Sequence, residues 1–287
     1  MKRCIIYKLS DQYIKFFKFI ASFDHYSRFN SALVYKQNDA VTFYGGAAFW
    51  DKYFNRTIKE DAKQYIILVP KGPVMVVYDI FETEGEQTTD EILEEGLGRK
   101  PFKTDGKIND QLFDHAYNVA ESMGIKLKDK PLSYFDSGYI ATLLNGHLEI
   151  CFKEGQSIEE KFSVLMHELA HLFLGHLEYC ELVQAQKDDH ISILRRNKIK
   201  ESTKELEAET TCYLITTKLG LIKNSEEYLA NFIKSPDDLA EFSYETVIKT
   251  ANLIEKHFIA ENNSKKWSLK VFKKENLTNN YYRTKRL

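Results

Sequence analysis

Apolar residues in the middle of the chain recur at the spacing of an amphipathic helix. They are Phe162, Leu165, Leu169, Leu172 and Phe173. A stripe with gaps of three and four residues predicts one buried helix face. Ser157 and Glu160 have the S-x-x-E form of a capping box, which begins a helix, and Gly175 can adopt the left-handed conformation that ends one. The pattern therefore predicts a helix between Ser157 and Gly175.

Two pairs of strands are predicted on either side of a central break. Residues 65–70 and 74–81 are rich in β-branched and aromatic residues and are separated by a Lys-Gly-Pro turn. Residues 139–144 and 147–152 flank Asn145 and Gly146, whose sequence is typical of a tight hairpin turn. Residues 147–152 come directly before the predicted helix at Ser157, and we expect this strand to offer its edge to an extended polypeptide.

Several other segments are predicted to be helical. They are the opening residues and residues 47–54, 110–123, 225–233 and 240–258. Residues 31–44 alternate only weakly between apolar and polar positions. Together with the strands, these segments predict an α+β fold.

A break in the pattern divides the chain. Residues 82–95 are acidic, and residues 96–106 contain Gly98, Pro101 and Gly106, which is the composition of a linker. We therefore expect a small N-terminal α/β domain over residues 1–100 and a second domain over residues 107–262. Residues 263–287 carry eight basic side chains against Glu275 alone and are interpreted as a basic C-terminal tail, solvated or disordered.

Composition limits the classes of function. The formal net charge of the 287 residues is −2, which excludes a globally basic nucleic-acid binder, so any such contact needs a local patch. The four cysteines are scattered without a CxxC pair, which indicates a reducing compartment and no zinc ribbon. No apolar run is long enough to span a bilayer, and the opening residues lack the pattern of a signal peptide. We expect a cytoplasmic protein without a membrane partner.

The helix between Ser157 and Gly175 carries the sequence His-Glu-Leu-Ala-His at 167–171. In a helix, His167 and His171 stand one turn apart on one face and can bind a single Zn²⁺. Glu168 then lies beside the metal, where its carboxylate can accept a proton from an activated water. The three residues predict a metal-dependent peptide hydrolase, with zinc as the cofactor and Glu168 as the catalytic base.

A catalytic zinc ion needs a third protein ligand. His176 stands five residues after His171, which would place it off the ligand face, and we expect it at the surface. A second helix downstream offers Glu205 and Glu209, one turn apart, and we expect Glu207 between them to be solvated. Glu205 is the expected ligand, with Glu209 either the alternative ligand or the partner of a ligand histidine. Glu205 could instead close a capping box with Ser202.

HELAH followed by ELEAETTCYLI resembles the ImmA/IrrE-type metallopeptidases, whose downstream glutamate lies in an E-x-x-A-[N/D/E] pattern. Glu205, Ala208 and Glu209 match that pattern. The resemblance implies a gluzincin-type zincin-like fold for residues 107–262. It also implies Glu205 as the ligand and Glu209 as the residue that orients a ligand histidine.

The N-terminal third is similar to another family. The segments SRFNSALVYKQNDAVTFYGGAAFW, IKEDAKQYIILVP and VYDIFETEG resemble the single-stranded-DNA-binding domain of ArdC-like anti-restriction proteins, which is followed there by a zincin-like domain. This chain has Asp61 where that family usually has a glycine. The resemblance implies that the protein binds single-stranded DNA and opposes host restriction of a mobile element.

Cationic and aromatic residues alternate in this N-terminal segment, as in proteins that follow the phosphates of a single strand and stack its bases. The residues expected to touch nucleic acid are Tyr26, Arg28, Asn30, Gln37, Lys59 and Lys63. Many of the aromatic side chains could instead fill a small core.

These observations lead to one main hypothesis and two alternatives. The main hypothesis is a zinc metallopeptidase with a single-stranded-DNA-binding domain, acting on a protein or peptide substrate such as a repressor or a restriction component. The first alternative is a protein that shields single-stranded DNA sterically. The second is an ImmA/IrrE-type regulatory protease that cleaves a DNA-bound repressor.

Overall fold

The structure is a computed structural model of the chain. It describes residues 2–23, 25–70, 72, 74–89, 91–92, 107–132, 136–143, 147–177, 180–184, 190–193, 195–221, 233, 239–260, 267–271 and 281–285. The fold mixes helices with small sheets, as the α+β prediction requires. Among these described residues, no helix has both the length and the apolar character needed to cross a membrane.

The chain divides into two compact units. The smaller unit is Gln12–Asp105, and the larger unit joins Met1–Asp11 to Gly106–Leu287. The sequence analysis assigned residues 1–100 to one N-terminal domain, whereas the structure groups the first eleven residues with the larger unit. Residues 93–106, which contain the predicted linker, lie outside the described part of the chain.

The smaller unit alternates short helices and short strands. Its elements are α1 (Lys2–Ala21, from Gln12 onward), α2 (Arg28–Gln37), β1 (Tyr44–Gly45), α3 (Ala47–Phe54), β2 (Arg56–Ile58), β3 (Tyr65–Ile67), β4 (Met75–Asp79) and β5 (Thr83–Gly85). Strand β4 pairs antiparallel with β3, as predicted, and with β1 on its other side. Strands β2 and β5 form a second antiparallel pair.

Aromatic side chains fill the core of the smaller unit. Trp50 and Val34 are fully buried, and Phe43 packs edge-on against the Trp50 ring with a centroid distance of 5.3 Å. The Trp50 indole donates a hydrogen bond to the carbonyl of Tyr78, which satisfies its N–H in the core. Many of the aromatic residues that could have stacked on bases are therefore part of this core.

The larger unit contains two sheets and the remaining helices. Its elements are α4 (Asp110–Ser122), β6 (Ile125–Lys130), β7 (Asp136–Thr142), β8 (Leu148–Lys153), α5 (Ile158–Phe173), β9 (Cys180–Gln184), β10 (His190–Ile193), α6 (Glu201–Lys218), α7 (Tyr244–Ile254), β11 (Trp267–Val271) and β12 (Tyr281–Lys285). The strand orders are β12-β7-β8-β6 and β10-β9-β11. The predicted helix at 225–233 lies mostly outside the described residues.

The predicted hairpin is present in the larger sheet. Strands β7 and β8 pair antiparallel with Gly138 opposite Phe152 and Thr142 opposite Leu148. Strand β6 pairs parallel to the other side of β8. The expectation that the strand before α5 offers a free edge is therefore wrong, because β8 has a neighbouring strand on both sides.

The basic residues at the C-terminal end of the chain also differ from the prediction. Strand β11 pairs antiparallel with β9, and β12 pairs antiparallel with β7. Two segments of residues 263–287 thus add strands to the sheets of the larger unit, although the sequence analysis treated them as a solvated or disordered tail. The position of these two segments is determined by their pairing with β9 and β7, which the pattern of charges along the sequence does not indicate.

Helix α5 forms where the sequence predicts it. The Ser157 hydroxyl accepts a hydrogen bond from the Glu160 N–H, and the Glu160 carboxylate accepts one from the Ser157 N–H, so the capping box is complete. Gly175 has a φ of 75°, the left-handed conformation expected after the helix. Gly138 of β7 allows the sheet to approach α5 closely, because a Cβ there would lie 2.3 Å from Val164 Cγ1.

Candidate functional site

Two histidines of α5 face the same point inside the larger unit. The His167 and His171 side chains are each 1% exposed and lie one helical turn apart. Their Nε2 atoms are 3.0 Å from each other. The rings therefore present the same nitrogen to one location, as the HELAH spacing predicts.

Glu205 reaches this location from helix α6. Its Oε2 atom is 3.6 Å from His167 Nε2, and its Oε1 atom is 3.5 Å from His171 Nε2. The capping role considered for Glu205 does not apply, because α6 begins at Glu201 and Lys200 is its N-cap residue. The structure thus brings together three side chains from two helices, and this group could hold a metal ion.

The spacing of the three ligand atoms fits a tetrahedral ion. Zinc bonds of about 2.0–2.1 Å place neighbouring ligand atoms about 3.3–3.4 Å apart. The two Nε2 atoms are 3.0 Å apart, and each lies 3.5 or 3.6 Å from one of the two Glu205 oxygens, so the observed separations lie on either side of that value. Two imidazoles and one carboxylate are a donor set that zinc accepts, and three protein ligands leave a fourth position open.

Glu209 contacts the far side of the His167 ring. Its Oε2 atom is 3.0 Å from His167 Nδ1, and the carboxylate is 1% exposed. An ionised carboxylate can only accept, so His167 Nδ1 carries a proton, and Nε2 is the nitrogen directed at His171 and Glu205. This position suits the orienting role considered for Glu209 and not the alternative role of ligand.

His176 and Glu207 are buried, and both expectations for them were wrong. Each is 0% exposed, although the sequence analysis placed His176 at the surface and Glu207 in solvent. His176 Nδ1 is 3.0 Å from His171 Nδ1, and His176 Nε2 is 3.0 Å from Glu207 Oε2. The left-handed Gly175 turns the chain back so that His176 faces the helix end, and a histidine directly after the terminating glycine was the available signal.

Arg196 completes this chain of contacts. Its Nη2 donates to Glu207 Oε1 over 2.7 Å, and its Nη1 donates to Glu207 Oε2. The Ser243 N–H donates to the same Oε1 atom over 2.6 Å. Both oxygens of the Glu207 carboxylate thus accept hydrogen bonds from protein groups, and no motif in the sequence pointed to Arg196 or Ser243.

Carboxylates dominate the electrostatics of the three ligand residues. Burial opposes protonation of His167, but hydrogen bonds to Glu205 and Glu209 outweigh it and raise the pKa to about 10. Burial also opposes ionisation of Glu205, yet the neighbouring His171 and the hydrogen bonds to both histidines hold its pKa well below the usual range. The group therefore favours a cation at its centre.

His176 behaves differently from the ligand histidines. Burial lowers the pKa of His176 to about 3, because the hydrogen bond to Glu207 does not compensate for the lost hydration. The ring is therefore neutral. In contrast, Glu207 keeps its charge, since the bonds from His176 and Arg196 outweigh the effect of burial and lower its pKa.

Glu168 is adjacent to His167 and is fully buried. Its negative charge is one of the influences that raise the pKa of His167, so its carboxylate acts on the same small region. A carboxylate in such a position can accept a proton from a polarised water or pass one on.

Four of the six predicted nucleic-acid residues serve the smaller unit itself. Arg28 is 5% exposed, in the first turn of α2. The Tyr26 hydroxyl accepts a hydrogen bond from the Gly46 N–H, and its ring stacks on Tyr44 with a centroid distance of 5.0 Å. Neither the charge of Arg28 nor the ring of Tyr26 is presented openly to a ligand.

Asn30 and Gln37 stand on α2 and pair with the outer edge of β3. The Asn30 amide donates to the Leu68 carbonyl and accepts from the Leu68 N–H, at 2.8 and 3.0 Å. The Gln37 amide does the same with Ile66, at 2.8 and 2.9 Å. These side chains replace a missing neighbouring strand, which explains their amides without a nucleic acid.

Lys59 and Lys63 are the exposed cationic side chains of the predicted set. Lys59 Nζ donates to the Phe81 carbonyl over 2.8 Å, and the Phe81 side chain is 52% exposed. Lys63 Nζ lies 5.7 Å from the centre of the Tyr65 ring. Cationic and aromatic groups are therefore close together at this part of the surface.

Comparison of the chain with protein-family models, with curated proteins and with solved structures finds no match in any of the three. The geometry around His167, His171 and Glu205 is therefore the basis for proposing a function.

Proposed function

We propose that the larger unit is a zinc-dependent peptide hydrolase. The observation that carries this proposal is the convergence of His167, His171 and Glu205 at separations that fit one tetrahedral ion. The three residues would hold the metal, and a bound zinc ion would supply Lewis-acid activation of water and of a carbonyl group.

The chain's own residues have distinct roles in this proposal. Glu168 accepts a proton from the attacking water and later delivers it to the leaving amine. Glu209 holds the His167 ring by accepting from Nδ1 over 3.0 Å. The resemblance of the chain to ArdC-like and ImmA/IrrE-type proteins favours a repressor or restriction component as the substrate.

The test combines metal analysis with peptide cleavage. Full-length protein should contain about one zinc per chain and should cleave members of a mixed peptide library, as detected by mass spectrometry. Glu168→Gln should retain the zinc and lose cleavage, because an amide cannot accept the proton at neutral pH. Glu159→Gln, on the first turn of the same helix, is the matched control and should cleave normally.

Two outcomes would contradict this proposal. Cleavage by Glu168→Gln at the wild-type rate would remove Glu168 from the mechanism. Zinc retention without cleavage of any peptide would favour a protein whose metal centre is structural and which shields DNA sterically.

We also propose that the smaller unit binds single-stranded nucleic acid at the surface formed by Lys59, Lys63 and Phe81. The Lys59 ammonium bonded to the Phe81 carbonyl, together with the exposed Phe81 side chain, supports this proposal, since single strands are bound by cations along the phosphates and by aromatic faces. Glu60 and Asp61 are exposed in the same turn, so the electrostatic contribution should be small.

Salt dependence tests this second proposal in the full chain. Two phosphate contacts predict a slope of log K against log salt of about −1.4 for a single strand. The variant Lys59→Ala should reduce that slope by about half, and Phe81→Ala should weaken binding without changing the slope, because stacking releases no counterions. Equal binding by wild type and by the Lys59→Ala, Lys63→Ala double variant would exclude this surface.

A further inference from the structure

Four side chains form a continuous line from the surface to the candidate metal ligand His171. Arg196 binds Glu207 through both of its terminal nitrogens, Glu207 accepts from His176, and His176 contacts His171. Arg196 is 18% exposed, whereas Glu207 and His176 are 0% exposed. The line thus runs through the buried interior of the larger unit, where hydrogen bonds are electrostatically stronger than in water.

The direction follows from counting protons. An ionised Glu207 can only accept, so the proton on the His176 ring lies at Nε2. Arg196 pairs with both Glu207 oxygens and balances their charge, so the line has no need for a second cation and His176 Nδ1 is left as an acceptor. The 3.0 Å contact between His176 Nδ1 and His171 Nδ1 then requires the proton to be on His171 Nδ1. His171 Nε2 keeps its lone pair, which is the tautomer that a metal ligand needs.

We propose that His176, Glu207 and Arg196 are positioning residues that hold His171 in its metal-binding tautomer and ring orientation. This inference rests on the proposed metal centre. The two histidines are thus positioned in different ways. The Glu209 carboxylate contacts His167 directly, whereas the His176 imidazole lies between His171 and the Glu207 carboxylate.

The charge of the surroundings explains the difference. Glu168, Glu205 and Glu209 already place three buried or nearly buried carboxylates around the ligand histidines. A fourth carboxylate in contact with His171 would add repulsion at the centre. His176 instead donates to Glu207 and accepts from His171, so His171 has an acceptor without a carboxylate beside it. Arg196 balances the negative charge of Glu207 away from the candidate metal ligands.

The backbone holds the line in place at both ends. The Arg196 N–H donates to the Gly175 carbonyl over 2.7 Å, directly before His176, and the His176 N–H donates to the His171 carbonyl over 3.1 Å. Ser243 fixes the Glu207 carboxylate through its N–H. The three positioning side chains are therefore fixed relative to the end of α5.

Glu207→Gln is the sharpest test, because it reverses the direction of the hydrogen bonds along the line while the side chain keeps nearly the same volume. The glutamine oxygen should occupy the Oε1 position, where both Arg196 Nη2 and the Ser243 N–H donate. The amide NH₂ then stands at the Oε2 position, where the bond from Arg196 Nη1 is lost and the NH₂ group donates to His176 Nε2, which shifts the His176 proton to Nδ1. His171 Nδ1 becomes the acceptor, and His171 Nε2 carries a proton that blocks the metal.

Two measurements read this change. Competition titration with a chromogenic zinc chelator should give a zinc affinity about 10–100-fold below that of wild type. In metal-free protein, ¹⁵N NMR of the histidine rings should show His171 protonated at Nδ1 in wild type and at Nε2 in Glu207→Gln. A purely structural role for Glu207 would not move the proton between the two ring nitrogens.

The matched control is Glu149→Gln, which alters a buried carboxylate of β8 that pairs with Lys128 and Lys130. It should leave zinc affinity and the His171 tautomer unchanged. His176→Phe fills a similar volume and removes both hydrogen bonds, so it should also lower zinc affinity. This second variant keeps the proposal testable if Glu207→Gln does not fold.

The outcomes separate this inference from the proposed function. Wild-type protein that binds no zinc would contradict the metal centre, while the tautomer of His171 in metal-free protein would still test the line. Wild-type zinc binding with an unchanged affinity in both Glu207→Gln and His176→Phe would overturn the positioning role alone. A wild-type His171 protonated at Nε2 would overturn it as well.

Discussion

Polar side chains have opposite uses in the two units. The larger unit contains three side chains that place potential metal-ligand atoms close to one another. They are His167, His171 and Glu205. In the smaller unit, Asn30 and Gln37 bond to backbone groups of their own unit at the edge of β3. Both sets lie on helices, so the difference lies in the groups that each side chain contacts.

The comparison shows when a polar helix residue indicates a ligand. Backbone groups inside α5 and α6 are satisfied by the helices, and the contacts given above among His167, His171 and Glu205 join side chains to side chains. Burial of such an imidazole or carboxylate costs free energy that an outside ligand can offset. Asn30 and Gln37 face an unpaired strand edge, and pairing with that edge accounts for them completely.

The largest expected effect is the loss of metal from a ligand variant. His171→Ala should reduce bound zinc from about one per chain to near zero after dialysis, because two ligands from the protein hold zinc poorly. Metal analysis by mass spectrometry checks this. Full zinc retention would contradict the metal centre and remove the contrast between the units.

Stability measurements sharpen the same contrast. Zinc should raise the unfolding midpoint of wild type, because a ligand that binds only the native state stabilises it. That increase should be absent in His171→Ala. Variants of the smaller unit should instead change stability equally with and without zinc.

Glu205 and Glu209 should differ in the size of their effects. Glu205→Ala removes a ligand and should abolish stoichiometric zinc, whereas Glu209→Ala removes the partner of His167 and should weaken zinc affinity about 10–100-fold. Chelator competition measures both. If the Glu209 variant lost all zinc and the Glu205 variant kept it, the two roles would be reversed.

The sequence allowed the metal site to be predicted only as far as local geometry reaches. His167 and His171 are four residues apart in one helix, so their proximity follows from the helix alone. His176 was misplaced because its position depends on the turn at Gly175, and Glu207 because its partner His176 lies 31 residues away. Arg196 had no local signal.

The fold shows the same limit. The hairpin of β7 and β8 and the capped helix α5 have local turn and capping signals, and both were predicted. The order of strands was not predicted, because the parallel partner β6 and the C-terminal strand β12 pair across long stretches of chain. Helix α2 was missed because its apolar positions alternate weakly, and Ser27 alone signals its start.

Glu149 offers a test by pH in a part of the larger unit without candidate ligands. Burial would raise its pKa, but hydrogen bonds from Lys130 and Lys128 lower it to about 2. The depressed pKa stabilises the fold above the unfolded pKa of about 4.3, and this contribution is lost as the pH falls toward 2. The loss should be about 1–2 kcal/mol, since solvent screens the partly exposed lysines.

Urea unfolding of wild type and of Glu149→Gln between pH 6 and pH 2.5 measures this contribution. The difference in unfolding free energy between the two proteins should shrink as the pH falls below about 4.3, because Glu149 is then protonated in the unfolded chain and its ionised form in the folded protein no longer stabilises the fold as much. A difference that stays constant would show that the ion pairs do not stabilise the fold. The result should be the same with and without zinc, unlike the effects of the ligand variants.

The smallest expected effect concerns the edge of β3. Asn30→Ala and Gln37→Ala each remove one donated and one accepted hydrogen bond to the backbone of Leu68 or Ile66. Each variant should lower the unfolding free energy by about 1 kcal/mol, since water can partly replace the lost bonds at an exposed edge. Urea unfolding followed by tryptophan fluorescence is suitable because Trp50 lies in the core of the same unit.

Gln64→Ala is the matched control, because Gln64 is an exposed amide next to the same strand and no hydrogen bond of its side chain is found among the described residues. It should change the unfolding free energy by less than about 0.5 kcal/mol. Single-stranded DNA binding by Asn30→Ala and Gln37→Ala should match wild type under conditions where both are folded, because their amides are already engaged. If either variant kept full stability and lost DNA binding, that amide would be a ligand group after all, and the contrast between the two units would fail at that residue.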